Sequence, residues 1–499
     1  MTGEALVGWL QAMLTLSWVV VIGSGWAILL RPRSGIAERL SFGYLLGLGL
    51  VVTTMLGWQL SGGRYAPTQL FLLSVLVGLP PYLGSAWLRV RRGQARGTSR
   101  ETLKHVAAVP AGTTLERLVN LALMGAIGLV VLMNLAVATY QPTLRWDEIS
   151  HHMFAAKIYF HEGGITRDSG MLTQDVRTYP PFVPLTRTWL YELVGSDNPT
   201  HNHLVSWAMF ASFLAFFYAR LRDIVSSTTG LLFTLIASLL MFWGGTESLI
   251  DFPLITYGGL GVLSLAVVLR RPEGHLAFVA GLLLGIAGIV RPDGLSFGLL
   301  NLGLFGLFAL LRIRTWSGLS QPILAVAGFA LAVAPWVAFK SAFWGLPLSG
   351  ETYLGGGFGE MVLAAVRMGS LNTDVLVRVL GFVFPHFNSQ YGYVLLFALI
   401  IILLGFPDRR TDGFLCTAVL INGAVYMTAL YAFLLAGRTD LALREETAIR
   451  FGTRLLPLLV FVIGASPLVD EVIQTLVRWR PGPLDSTPVD DPELGALGA

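Results

Sequence analysis

Residues 275–311 read HLAFVAGLLLGIAGIVRPDGLSFGLLNLGLFGLFALL, two apolar runs separated by Arg291-Pro-Asp-Gly294. Each run approaches the roughly 20 residues that an α-helix needs to cross the hydrocarbon core of a bilayer. The whole chain has this character, because 54% of its 499 residues are hydrophobic and only 13% are charged. A soluble domain carries about 25% charged residues. We therefore predict an all-α polytopic membrane protein.

Apolar runs of suitable length predict about 13 transmembrane helices. They lie near residues 5–30, 36–60, 68–89, 115–139, 201–219, 229–244, 252–269, 275–290, 294–311, 321–342, 391–405, 413–436 and 453–469. Cys416 is the only cysteine, which excludes both a disulfide within the chain and a cysteine-based metal site.

The positions of the basic residues predict the orientation of these helices. Arginines and lysines occur in alternate connections, at residues 31–39, 89–104, 220–222, 270–271, 312–314 and 409–410. Because connections rich in Lys and Arg stay in the cytoplasm, we predict an outer N-terminus and a cytoplasmic C-terminus. The outer loops are then 140–200, 245–251, 291–294, 343–390 and 437–452.

The first outer loop contains the densest set of polar residues. It opens with Trp146-Asp147-Glu148-Ile149-Ser150-His151-His152 and continues as an amphipathic stretch to Phe160, which Gly163-Gly164 ends. Tyr179-Pro180-Pro181 opens a second amphipathic stretch through Tyr191, since proline is tolerated in the first turn of a helix. We predict that both stretches form helices in the membrane interface.

The acidic pair at the start of this loop is a candidate catalytic site. A carboxylate there can accept a proton from an attacking hydroxyl or amine. A carboxylate beside hydrocarbon is costly without a task, which favours a functional role for Asp147. Glu148 is either a second catalytic carboxylate or a structural partner.

If the attacking group displaces a phosphate, the negative charge of that phosphate must be balanced by cationic side chains. Several side chains in this loop are candidates to bind it. They are His151, His152, Lys157, Arg177 and Arg187. The alternative is that these residues only match the polar headgroup region of the membrane.

Two later outer loops add further candidates. Glu247 and Asp251 are one helical turn apart. Three interpretations are open: the two carboxylates orient acceptor hydroxyls, they hold a divalent cation together with Asp147, or they belong to a loop that is acidic without a functional role. Arg450 and Arg454 are candidate phosphate ligands, in competition with pairing to nearby acidic residues. Arg291 and Asp293 form a local ion pair in the simplest interpretation.

In their order along the chain, these motifs resemble the glycosyltransferase C superfamily, especially bacterial relatives of protein O-mannosyltransferases and aminoarabinose transferases. The matching elements are Trp146-Asp147-Glu148, the helix to Phe160, Arg177-Thr-Tyr-Pro-Pro181, residues 246–254, Arg291-Pro-Asp-Gly294 and residues 450–457. The likeness covers roughly residues 115–460. The chain departs from it at Tyr179, where aminoarabinose transferases have a lysine, and in the three spans that precede the shared part. By its place in this motif, Tyr179 is a further candidate substrate-binding residue.

The resemblance implies an inverting transferase in the cytoplasmic (inner) membrane of a bacterium. Asp147 would be the general base, and the sugar donor would be a polyprenyl-phosphate-linked sugar bound at the outer, periplasmic face. Its partners would be that donor, a glycan, lipid or protein acceptor, and the lipid bilayer, without nucleic acid. Relatives that use a monophosphate lipid need no metal, so no metal or cofactor is predicted. A ligase or polymerase of O-antigen type that uses diphosphate lipids, and a transporter or flippase without enzymatic activity, are the alternatives.

With this resemblance, the chain divides into four parts. Residues 1–110 contribute additional transmembrane helices, and residues 111–345 form a glycosyltransferase C-like core that carries the first outer loop, 140–200. Residues 346–480 contain a loop predicted to be mobile, because of its Gly355-Gly356-Gly357 run, and the last transmembrane helices. Residues 481–499 are an acidic, proline-rich tail that we predict to be disordered in the cytoplasm.

Overall fold

The computed structural model describes residues 3–31, 34–95, 114–140, 148–166, 179–246, 251–312, 316–345, 373–391, 394–404, 411–435 and 445–478. Every element in these ranges is helical. The predictions made for Asp147, for Arg177, for Glu247, for the Gly355–Gly357 run and for the 481–499 tail lie outside the described residues.

The helices are numbered in chain order. They are α1 (Gly3–Leu30), α2 (Ile36–Leu60), α3 (Pro67–Ala95), α4 (Thr114–Tyr140), α5 (Phe154–Glu162), α6 (Phe182–Val194), α7 (Thr200–Arg222), α8 (Ser227–Leu240), α9 (Phe242–Thr246), α10 (Asp251–Arg270), α11 (Gly274–Val290), α12 (Pro292–Arg312), α13 (Trp316–Trp344), α14 (Thr373–Tyr391), α15 (Val394–Leu404), α16 (Thr411–Leu435), α17 (Glu445–Gly464) and α18 (Pro467–Arg478). A π-helical turn, Glu148–Met153, runs directly into α5.

The length and composition of the helices support a multi-pass membrane protein. Within the described residues, eight helices are long and apolar enough to cross a bilayer, namely α1, α2, α3, α4, α7, α10, α12 and α13. The pair α17 and α18, which is bent by 59°, makes a ninth if it is counted as one span. The predicted number of 13 spans is therefore not confirmed.

Part of this difference arises in the C-terminal third of the chain. Residues 373–391, assigned to an outer loop from the sequence, form α14 instead, and the 11 residues of α15 follow. The last predicted span, 453–469, is interrupted between Gly464 and Pro467, because a proline cannot donate a hydrogen bond to the preceding helical turn.

Glycine allows close contact between helices at two crossings. A Cβ built on Gly281 of α11 would lie 1.8 Å from the carbonyl oxygen of Ala325 in α13. A Cβ on Gly23 of α1 would lie 1.9 Å from the carbonyl oxygen of Gly43 in α2. Helix backbones in a membrane approach this closely only where small residues line the crossing. These two crossings therefore require glycine.

Ion pairs gather several basic connections at one end of the bundle, here called the basic end and defined by Arg31, Arg220 and Arg270. Arg31 Nη2 lies 3.2 Å from Glu38 Oε1, and the fully buried Arg220 pairs with the same carboxylate. Arg270 donates a 3.5 Å hydrogen bond to the carbonyl oxygen of Ile224. The opposite end, here called the loop end, carries residues 148–166. Three of the basic connections therefore lie together at one end of the bundle, and the membrane side that this end faces stays a prediction.

The three N-terminal helices pack onto the rest of the bundle. Tyr44 of α2 donates a 2.9 Å hydrogen bond to the carbonyl oxygen of Val205, and Tyr257 of α10 donates one of 2.6 Å to that of Leu45. Both hydroxyls are buried, so these hydrogen bonds satisfy groups that would be costly to leave unpaired in an apolar interior. Helices α1–α3 are thus integrated into the bundle.

Helix α6 lies on these N-terminal helices and is enclosed by protein. Every residue of α6 except Leu193 is buried, and Trp189 lines a small apolar pocket with residues of α1, α2 and α3. The apolar face of α6 therefore packs against protein, while its position at the membrane interface stays a prediction. Its amphipathic pattern is the same as that of an interfacial helix, but α1–α3 occupy the place that lipid would take.

A reciprocal amide pair joins α12 to α16 inside the bundle. Asn422 Nδ2 donates a 3.1 Å hydrogen bond to Asn301 Oδ1, and Asn301 Nδ2 donates one of 3.4 Å to Asn422 Oδ1. Each amide also donates to a carbonyl oxygen one turn earlier in its own helix, at Phe297 and Ala418. Both side chains are buried, so each amide depends on the other for its polar contacts.

Candidate functional site

Six charged side chains are held at the loop end of the bundle and form two groups, here called together the loop-end cluster. Its members are Glu148, Arg187, Asp251, Arg291, Asp293 and Arg454. They come from the π-helical turn, from α6, from the start of α10, from the α11–α12 turn, and from α17.

The larger group is an alternating set of two carboxylates and two guanidinium groups. Asp251 Oδ1 accepts a 2.6 Å hydrogen bond from Arg291 Nη1 and a 3.2 Å hydrogen bond from Arg454 Nη2. Asp293 accepts a hydrogen bond from Arg454 Nη1, and its Oδ1 lies 3.2 Å from Arg291 Nε. The side chains of Asp251 and Arg454 are only 2% and 3% exposed. Each carboxylate therefore has two guanidinium partners, which desolvated charges require.

Local sequence explains how this group is built. Arg291 takes an extended conformation that ends α11, and Pro292 begins α12, where a missing N–H costs nothing. Asp251 and Asp293 lie in the first turns of α10 and α12, where the helix dipole favours negative charge. The local Arg291–Asp293 pair inferred from the sequence is present, and it extends to Asp251 and Arg454.

Glu148 and Arg187 form the second group. Arg187 Nη2 donates a 3.1 Å hydrogen bond to Glu148 Oε1, and the two side chains are 2% and 1% exposed. Glu148 is the first residue of the π-helical turn, a wider form of helix that often occurs at functional sites. Of the two roles that the sequence left open for Glu148, this geometry favours that of a structural partner.

The buried His152 is near enough to both groups to interact electrostatically with Arg187, Arg291 and Asp251. Burial, together with the guanidinium group of Arg187, lowers the pKa of His152 to about 3. The imidazole is therefore neutral at neutral pH. It can donate or accept a hydrogen bond, but it does not supply the positive charge that the sequence analysis expected from it. The neighbouring His151 has its Nδ1 2.6 Å from the hydroxyl of Ser150.

Two tyrosines flank the larger group. Tyr179 and Tyr426 both lie within electrostatic range of Arg291. The guanidinium carbon of Arg454 is 5.6 Å from the centroid of the Tyr426 ring, a distance at which a cation–π interaction forms. Tyr179 was a sequence candidate, whereas Tyr426 lies within an apolar run and carries no signal that would single it out.

The other sequence candidates have different positions. Lys157 Nζ pairs with Asp197 Oδ2 at 3.2 Å, on the side of α5 that also presents His161 to the same carboxylate. Arg450 belongs to α17 and precedes Arg454 by four residues. Asp147, Arg177 and Glu247 are outside the described part of the chain. Among the residues that the structure describes, no group of three or more His, Cys, Asp or Glu side chains is arranged to hold a metal ion.

The charges of the loop-end cluster balance. Three carboxylates face three guanidinium groups, so the cluster has no formal excess of positive charge for an anionic ligand. Arg291 is its most exposed arginine, at 19%, whereas Arg187 and Arg454 are enclosed. The cluster can therefore hold helix ends and the start of α5 in fixed positions. Its most exposed side chains are those of Asp293, at 35%, and Arg291, at 19%.

A separate carboxylate in α6 gives stability a dependence on pH. Burial raises the pKa of Glu192 to about 7, from an ordinary value of 4.5. Between these values the folded protein holds a proton that the unfolded chain has released, so the free energy of unfolding falls as the pH rises towards 7. The fall is on the order of 1 kcal/mol per pH unit. We expect Glu192→Gln to abolish this decline and to be more stable than the wild type at pH 8. Unfolding in detergent micelles between pH 5 and pH 8 measures this, and parallel curves for the two proteins would contradict it.

Comparison with known proteins adds no relative of this chain. No protein-family model matches it, and neither a curated protein nor a solved structure is significantly similar to it. Function must therefore be argued from the chemistry of the loop-end cluster and from the sequence motifs that contribute to it.

Proposed function

We propose that the protein is an inverting glycosyltransferase that takes a sugar from a polyprenyl-phosphate-linked donor and transfers it to an acceptor at the outer face of a bacterial cytoplasmic membrane. Asp147 accepts the proton of the attacking acceptor hydroxyl or amine. The acceptor atom forms a bond to the anomeric carbon of the sugar while the bond from that carbon to the phosphate oxygen breaks. The lipid phosphate leaves with the electron pair.

One observation carries this proposal. The motifs that resemble the glycosyltransferase C superfamily are separated by up to about 300 residues, yet their described charged residues meet at one end of the bundle. Four of these six charges, those of Glu148, Arg187, Asp251 and Arg454, are buried, which is expensive in an apolar bundle even when they are paired. A protein that needed only a stable fold would be better served by apolar side chains at these positions.

The roles of the residues follow from their exposure. Glu148 and Arg187 fix the π-helical turn and therefore the chain next to Asp147. Asp251, Asp293 and Arg454 hold Arg291 in place at the surface of the cluster. Arg291, with Arg177 and Arg450 as further candidates, stabilises the charge that develops on the departing phosphate. His151, His152 and Tyr179 contribute hydrogen bonds.

The experiment that tests this proposal compares donor classes in proteoliposomes. Polyprenyl monophosphate and polyprenyl diphosphate carrying the same sugar are supplied in turn, across a panel of hexoses and pentoses. We expect consumption of a monophosphate donor with release of free polyprenyl phosphate. Consumption of diphosphate donors alone would replace the proposal by a ligase or polymerase. Movement of donor across the bilayer without loss of its sugar would replace it by a transporter.

A further inference from the structure

The hairpin between α2 and α3, residues 59–65, contacts residues 163–165, which directly follow α5. Gln59 pairs its side-chain amide with the backbone of Ile165: the Ile165 N–H donates a 3.1 Å hydrogen bond to Oε1, and Nε2 donates one of 3.2 Å to the Ile165 carbonyl oxygen. The N–H of Tyr65 donates a 2.6 Å hydrogen bond to the carbonyl oxygen of Gly163. Three hydrogen bonds thus join the hairpin to residues 163–165.

The backbone of residues 163–165 fits closely against the side chains of the hairpin. Gly163 ends α5 with a φ of 68°, a left-handed conformation that favours glycine. A Cβ on Gly164 would lie 2.6 Å from Gln59 Oε1, so a side chain there would displace the amide. Ile165 and Tyr65 are almost fully buried. The indole N–H of Trp58 donates a 2.8 Å hydrogen bond to the carbonyl oxygen of Arg64, which holds the hairpin itself in shape.

The contact is connected to the loop-end cluster through a continuous helix. Residues 148–162 form the π-helical turn and α5 without a break, a length of about 20 Å at the rise of an α-helix. The far end of this helix is held by the Glu148–Arg187 pair. Its middle lies against Thr188, whose hydroxyl oxygen is 3.2 Å from the carbonyl oxygen of Ala156 and 2.9 Å from that of Pro184. A shift at residues 163–165 would therefore move Glu148 and His152 as well.

We propose that the 59–65 hairpin is a positioning device for the first loop and that Gln59 is its positioning residue. The added helices α1–α3 hold the loop on two sides, through α6 and through the end of α5, and so set the place of the π-helical turn. The inference rests on the proposed function in one respect, namely that this loop carries the catalytic base. The proposal assigns a role to helices α1–α3, which precede the region that resembles the glycosyltransferase C superfamily.

The first test is Gln59→Ala, with Gln69→Ala as its matched control. Gln69 is an exposed glutamine in the first turn of α3, close to the same hairpin. We expect hydrogen exchange of residues 154–166 to accelerate on the order of tenfold in Gln59→Ala, since its two hydrogen bonds to Ile165 are lost, and to stay unchanged in the control. We expect kcat for transfer to fall while KM for the donor stays constant. General loss of structure would instead accelerate exchange in α1 and α2 too.

A disulfide between the hairpin and the end of α5 tests whether the contact can be restored in the Gln59→Ala protein. A Cβ on Gly163 would lie 4.0 Å from the Cβ of Arg64, a separation that a disulfide spans. We expect Arg64→Cys with Gly163→Cys, in a Cys416→Ala background, to form this bond on oxidation. Because any side chain at Gly163 strains its left-handed backbone, the reduced form of the same protein is the reference for the oxidised form. In the Gln59→Ala protein, the oxidised cross-link should restore both slow exchange and kcat, and reduction should remove both effects.

The outcomes separate the two proposals. Unchanged exchange in Gln59→Ala, or a kcat that stays at the wild-type value while exchange accelerates, would overturn the positioning role of Gln59. Neither result would contradict the proposed transferase activity, because that activity is tested by donor consumption by the wild-type protein. If the wild-type protein consumed no lipid-linked sugar, the exchange measurements would still decide whether the hairpin fixes the loop.

Discussion

Asp147→Asn is expected to slow sugar transfer by a factor of about 10²–10⁴, the range that general base catalysis contributes. An asparagine has nearly the same shape as an aspartate but cannot accept the proton of the attacking group. We therefore expect donor binding and the free energy of unfolding to remain near their wild-type values. Initial rates of polyprenyl phosphate release in proteoliposomes measure the loss. Transfer at the wild-type rate by Asp147→Asn would show that another residue accepts the proton.

The neighbouring carboxylate provides the contrast for this experiment. Glu148 is buried in an ion pair with Arg187, so Glu148→Gln leaves a desolvated guanidinium group without its carboxylate. Removing one partner of a buried pair costs about 3–5 kcal/mol. We expect Glu148→Gln to lower the free energy of unfolding by that order, in contrast to Asp147→Asn. Two adjacent acidic residues would thus be separated into a chemical role and a structural role.

Arg454→Met is the second change for which we expect a large effect. Methionine preserves much of the volume of the side chain but removes the guanidinium group that contacts both Asp251 and Asp293. Arg291 alone then faces two carboxylates, and we expect the free energy of unfolding to fall by about 3–5 kcal/mol. Arg378→Met, on an exposed position of α14, is the matched control, and its effect should stay within about 0.5 kcal/mol.

A double-mutant cycle attributes this loss to the ion pairs. Asp293→Asn removes one negative charge, so we expect the combination of Asp293→Asn and Arg454→Met to recover about 1–3 kcal/mol relative to the sum of the single changes. Reversible unfolding in mixed micelles provides the four free energies. Additive effects would mean that the contact between Arg454 and Asp293 adds no stability, so that Arg454 acts through Asp251 and Tyr426 instead.

The helical membrane fold could be predicted from the apolar runs because each span must satisfy its own backbone hydrogen bonds within the bilayer. The surroundings of a helix could not be predicted in the same way. Helix α6 has the amphipathic pattern of an interfacial helix, but whether its apolar face meets lipid or α1–α3 depends on tertiary packing. The same limit applies to α14, which the glycine-rich sequence before it led us to include in a loop.

The candidate site could be predicted in part. Sequence motifs selected Glu148, Asp251 and Arg454, and the structure brings the last two together across 203 residues. The simple interpretation of Arg291 and Asp293 as a local pair missed their second partners, since one sequence carries no information about contacts at that separation. His152 was expected to be a cation, but burial beside Arg187 overrides the ordinary basicity of an imidazole.

The amide pair between Asn301 and Asn422 has a consequence for depth within the membrane. Sliding α12 past α16 by one residue would break both hydrogen bonds between the amides and leave each Oδ1 without its donor inside the bundle, which favours one register of the two helices. Asp293 precedes Asn301 by two helical turns, and Tyr426 follows Asn422 by one turn. The amide pair therefore fixes the depth of the Asp293 carboxylate relative to the Tyr426 ring. Both groups stay beside Arg454 even if the neighbouring loops rearrange.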